Sequence, residues 1–343
     1  MTLLVACPPG ARSGPAKPDG AAIAELVIPT EGAVPSAIAV SKTGTVWYVD
    51  QANGRIGRVD PETGEIRDYA LPGTGSAPLA IALGRRGVWY AASKPGKLGY
   101  FDPARDRFRE FMLPGNAADP HAILIRGTRV WFTVQKANLY GYLIPVTGTI
   151  RTFPVATPKA RPYAMAAAPD GSIWLTLAGS NRLARIDPAS TGMTELEIPH
   201  KDARPKRLAI DASGTIWYTD VARSKLVSYV PASQRFREFD TPDRQAGPGA
   251  IAIGRDGRVW YNEAYLNRMV SFDPAAKLST TLHLPTEGAT VRHMVSDPRA
   301  PRLWLALAGT HRIGRIDLVT PAPVRKAVTE PQGGQQAERK KPP

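Results

Sequence analysis

The chain has 343 residues, 43% of them hydrophobic, and carries 44 Lys and Arg against 30 Asp and Glu for a net charge of +14. That apolar content supports a sizeable core and excludes a disordered chain. The single Cys excludes an intramolecular disulfide and any Cys-rich zinc or iron–sulfur site. No run of about 18 apolar residues exists to cross a membrane as a helix.

In chain order, residues 1–23 come first. Leu4-Val5-Ala6-Cys7 has the pattern of a bacterial lipoprotein cleavage site, and the Pro, Gly and Ala-rich stretch PPGARSGPAKPDGAA after it suits a tether. Only Thr2 to Ala6 lie between Met1 and Cys7, too few for a signal peptide, so this segment is expected to be a truncated signal remnant with Cys7 as the lipidation site. Ala24-Glu25-Leu26-Val27-Ile28-Pro29 then reads as one isolated strand.

From there a repeat takes over. Trp47, Trp89, Trp131, Trp174, Trp217, Trp260 and Trp304 are separated by 42, 42, 43, 43, 43 and 44 residues. About ten residues before each Trp lies a short apolar run, such as PSAIAV, PLAIAL or PGAIAI. After it comes a third run, such as GRIGRVD or HRIGRID, and then an alternating fourth that often stops at Pro, such as IRDYALP or FREFMLP. Four short strands per period of about 42 residues predict an all-β, seven-bladed β-propeller over residues 24–318. The last repeat lacks a fourth strand, and the isolated N-terminal strand is expected to supply it, closing the ring and removing its open edges. Residues 319–343, rich in Pro and basic residues, are expected to be a disordered tail.

In a propeller the first strands line the central channel, so the residues that open them converge at one mouth. Counting 10 or 11 positions back from each Trp gives Ser36, Leu79, His121, Tyr163, Lys206, Gly249 and His293. This is a polar, titratable set, with His293 as candidate base and Ser36, His121, Tyr163 and Lys206 as candidate ligand contacts. Three residues after the Trp the acids Asp50, Asp220 and Glu263 stand where other repeats are apolar. Asp220 and Glu263 could hold a hard cation or pair with Lys206 and nearby Arg residues.

The repeat of Pro-x-Ala-Ile, a Gly turn, Trp plus an aromatic or apolar residue, and Asn-Arg-Ile-Gly-Arg-Ile-Asp-like runs resembles the virginiamycin B lyase family over nearly all of residues 24–318. The resemblance implies a seven-bladed propeller and an elimination that opens the ester of a cyclic depsipeptide, a His base abstracting the proton beside a carbonyl and magnesium steadying the charge. The family's base opens the last blade, where His293 is the match. A second family His opens the preceding blade, where this chain has Gly249. The magnesium-binding Glu residues fall at Val291 and within Leu305 to Gly309, where there is no acid.

Two functions are therefore expected to compete: a lyase with His293 as base, and a non-catalytic cell-envelope propeller that binds a ligand at its channel mouth. Either takes a small-molecule or peptide-like ligand, meets the membrane only through a Cys7 anchor, and is a monomer. The expected location is the cell envelope or periplasm if the chain starts upstream of Met1, and the cytoplasm otherwise. Nucleic-acid binding is disfavoured, since the positive charge is spread out with no basic helix or aromatic-laced basic strip.

Overall fold

The computed structural model describes residues 22–115 and 119–318; Cys7 and the basic tail lie outside the described residues. The described residues form seven four-stranded antiparallel sheets. Six are formed by consecutive strands. In the seventh, the N-terminal strand Ala22–Val27 pairs with Arg312–Asp317, followed by Arg302–Leu307 and Val291–Ser296. The closing strand thus begins two residues earlier than the sequence pattern suggests. Among the described residues no helix is long and apolar enough to cross a membrane.

Each first strand touches the first strands of both neighbouring blades, so these seven strands form the inner ring. The Trp residues are buried between blades. Trp47 meets Phe101 of the second blade edge-on at 6.2 Å, and Trp217 meets Phe272 of the sixth blade at 5.9 Å. Such rings bury large apolar areas where two twisted sheets face each other, and the repeat sets one at every seam.

The third-strand glycines have a steric cause. Gly57 stands opposite Tyr48 in the register, and a Cβ on Gly57 would fall 2.0 Å from the Tyr48 ring. Gly99 stands in the same relation to Tyr90. The Tyr hydroxyls, carried across by this close approach, donate to Asp68 and Glu110 on the outer strands at 2.6 Å.

Candidate functional site at the channel mouth

Every first strand begins with the same irregularity. The ladder to the second strand skips at Pro35/Ala37, Pro78/Ala80, Pro120/Ala122, Pro162/Met165, Pro205/Leu208, Pro248/Ile251 and Val291/His293. A bulge leaves its residue unpaired and re-aims the side chain. The unpaired residue after each Pro is Ser36, Leu79, His121, Tyr163, Lys206 or Gly249, and all six line one cavity of about 260 Å³ at the channel mouth.

In the seventh blade the bulged residue is Arg292, not His293, and Arg292 lines the cavity. The expectation that His293 belongs to this ring was displaced by one position. Trp304 pairs with Val295, nine residues back, whereas Trp47 pairs with Ala39, eight back, because the last blade's first turn is one residue longer. His293 instead shares its position with Ala37, Ala80, Ala122, Ala164, Arg207 and Ala250, one step along the strand from the mouth ring. Only Arg207 and His293 carry large polar side chains there.

Hydrogen bonds across the seams fix this rim. Ser36 Oγ donates to the Pro78 carbonyl at 2.8 Å, and Thr176 and Thr219 donate to the carbonyls of Lys206 and Gly249 at 2.7 and 2.8 Å. Thr133, Thr176, Thr219 and Asn262 accept from the backbone N–H groups freed by the bulges. Gly249 is explained by one of them: a Cβ there would come within 2.8 Å of Asn262 Oδ1, which holds the Ala250 N–H.

The two imidazoles are committed as well. His121 Nδ1 lies 2.9 Å from the Tyr163 carbonyl, so it must carry the proton and donate, leaving Nε2 as an acceptor. Its ring sits 4.1 Å from the Tyr163 ring. His293 is the opposite case, accepting at Nδ1 from the Ile38 N–H at 3.3 Å, so its neutral form carries the proton on Nε2. Burial, reinforced by the positive charge of Arg207, pushes the His121 pKa down to about 4 and that of His293 to about 3.

Arg207 is the hub of these interactions. Its guanidinium lies over the Tyr163 ring, 5.4 Å from the centroid, and burial lowers its pKa from the ordinary Arg value, with Arg292 adding to the effect. Lys206, Arg207 and Arg292 all line the cavity, whose walls contain no Asp or Glu. None of the three pairs with an acid among the described residues. Sequence reasoning offers Arg207 and Arg292 only as positive charge in place of the metal, and counting from Trp leaves both out of the mouth ring. The signal was there: aligning Thr-Val-Arg-His-Met with Asp-Pro-His-Ala-Ile, from the strand opening rather than from the Trp, puts Arg292 in the slot.

Asp220 and Glu263 do not join them. Asp220, opposite Pro205, accepts from the Arg204 N–H at 3.0 Å and faces Arg223 at 3.6 Å. Glu263, opposite Pro248, is paired with Arg268. Both are buried, and burial raises both pKa values. The expected pairing is therefore with Arg residues and not with Lys206. One oxygen of each acid lacks a hydrogen-bond partner. Yet no three His, Cys, Asp or Glu side chains gather among the described residues in a way that could hold a metal. The donors at hand do not fit the magnesium implied by the resemblance.

The whole chain can be placed by comparison. A solved virginiamycin B lyase from Staphylococcus aureus superposes with a TM-score of 0.81 at 22% identity, covering 88% of this chain and all of that one. A streptogramin B lyase gives 0.81 at 21%, covering 87% and 98%. YCF48 from Cyanidioschyzon merolae gives 0.71 at 14%, covering 86% and 99%. No curated protein matches. The family described as "Virginiamycin B lyase family" matches residues 10–162 and 148–333. Nearly the full length is thus accounted for, and the chain belongs to the virginiamycin B lyase family.

Proposed function

We propose that this chain is a non-catalytic member of its family that binds a small ligand at the channel mouth. The observation that carries the reading is the composition of the mouth: three cations, no acid, and imidazoles whose pKa values of about 4 and about 3 lie far below neutral pH. A proton abstraction next to a carbonyl needs a base whose pKa lies near the working pH. An imidazole with a pKa of about 3, whose Nδ1 already accepts a backbone N–H, is a weak one. The cavity of about 260 Å³ lies below the roughly 300–1,000 Å³ that buries a drug-sized ligand. A cyclic depsipeptide would have to sit above it.

Family membership favours a second reading, the lyase with His293 as base. Incubating the purified protein with a type B streptogramin, with and without magnesium, and following ring opening by mass spectrometry separates the two. Binding without turnover is expected. Ring opening that disappears in His293→Ala would establish the lyase instead.

The proposed setting is the cell envelope, with Cys7 as lipid anchor. Labelled palmitate should enter the protein expressed in a bacterial host and be lost in Cys7→Ser; no incorporation in the parent removes the anchor.

A further inference from the structure

We infer that the channel mouth is a site for a small dianion, a phosphate group or a dicarboxylate, gripped by Arg207 with Lys206 and Arg292 closing over it. The inference rests on the binding reading above and names the chemistry of its ligand.

Charge is the first argument. Three cationic side chains line a cavity of about 260 Å³ without a neutralising acid, whereas the buried Lys97 is matched by Glu110 at 2.8 Å and Arg223 by Glu238 at 2.6 Å. Like charges held together without an acid repel, and Arg207 also loses hydration on burial; an anion relieves both costs, and Arg292, exposed and donating to Gln51 Oε1, stays solvated at the edge. The cluster carries more positive charge than a monocarboxylate can neutralise, which favours two negative charges on the ligand.

Geometry is the second argument. The Arg207 guanidinium lies over the Tyr163 ring, an arrangement that orients the planar fork and leaves its edge for oxygens arranged as in phosphate or carboxylate. Arg207 comes from inside the widened bulge of the fifth blade, where the ladder skips from Pro205 to Leu208, so Lys206 and Arg207 leave adjacent positions of one strand toward the channel. Arg292 comes from the seventh blade and faces them across the cavity wall. The neighbouring His121 keeps an unprotonated Nε2, an acceptor for a hydroxyl or a protonated phosphate oxygen. No other inner-ring position equivalent to Arg207 is cationic.

Isothermal titration of the full chain at constant ionic strength, with inorganic phosphate, malonate, acetate and chloride as probes, tests the inference. Phosphate or malonate is expected to bind more tightly than acetate, and chloride not at all. Which of the two dianions wins identifies the ligand group. Arg207→Gln should weaken binding by about tenfold or more, Lys206→Gln and Arg292→Gln by less, and Arg235→Gln on an outer strand should leave it unchanged. Arg292 is exposed and Lys206 half-buried, so their variants remain informative should Arg207→Gln fold poorly. Equal heats for all four probes, or dianion binding that survives all three mouth variants, would overturn the inference. Streptogramin turnover together with phosphate binding would overturn only the non-catalytic reading. Absence of dianion binding would overturn only the assignment of charge to the ligand.

Discussion

The imidazole of His293, in the last blade, accepts a hydrogen bond from the Ile38 amide of the first blade, across the seam where the ring closes. The contact requires an unprotonated Nδ1. Arg207 faces the same ring and opposes its protonation, as it does for His121. The folded state therefore resists protons that the unfolded chain takes up near pH 6.5. With the folded pKa below the unfolded one, stability is complete above about pH 6.5 and falls as the pH drops toward 4. Urea midpoints at pH 7.5 and 5 should show the loss, and it should shrink in His293→Asn and His121→Asn. A pH dependence unchanged in both variants would contradict the burial of these rings.

Ring closure depends on one short strand, and its side chains add a polar clasp. Glu25 accepts from Thr286 through both carboxylate oxygens and lies 3.8 Å from Arg312. Glu25→Ala leaves half-buried donors without their acceptor and is expected to cost about 1 kcal/mol, read from chemical denaturation. Deleting residues 22–27 exposes the Arg312–Asp317 edge and should lower the melting temperature further, with association visible by light scattering.

The buried acid of the fifth blade gives a test of its structural role. Asp220 Oδ1 holds the Arg204 N–H while Oδ2 has no hydrogen-bond partner. Asp220→Asn keeps the acceptor and should be nearly neutral in stability, whereas Asp220→Ala should lose about 1–3 kcal/mol. Neither substitution should alter phosphate binding at the mouth, because Asp220 does not line it. A loss of binding in Asp220→Asn would return the acid to the site.

Almost all of the fold was legible in the sequence, because a propeller repeats its instructions. Seven Trp at near-constant spacing give the blade count, and Ala24 to Pro29, a strand with no partners of its own, gives the closure. The site was legible only in part, for a specific reason. Counting 10 or 11 back from Trp works where the residue paired with Trp lies seven or eight positions before it, as Ala82 and Ala39 do, and before Trp304 it lies nine back. The slip put His293 in a ring whose seventh member is Arg292. Val291 replaces the Pro that marks the other six bulges, so the marker that would have caught the slip is missing. Arg207 falls outside the counted ring for a different reason. It stands where five blades have Ala, and the widened bulge that turns it to the channel exists only in three dimensions.

The packing of Tyr48 on Gly57 makes the last prediction quantitative. A methyl group on Gly57 would overlap the Tyr48 ring at 2.0 Å, and the ring is pinned by its 2.6 Å bond to Asp68. Gly57→Ala must either shift the strand or break that bond, and overpacking of this kind costs about 1–3 kcal/mol. The fourth blade shows the compatible pair, Leu175 opposite Ala184, at the same register. Combining Gly57→Ala with Tyr48→Leu removes the clash at the expense of the hydroxyl bond. The double variant should therefore be more stable than the two single losses summed, by about 0.5–3 kcal/mol of coupling in a mutant cycle. Strict additivity would mean that the strand yields to the methyl group without cost, and that the glycine is there for some reason other than the tyrosine above it.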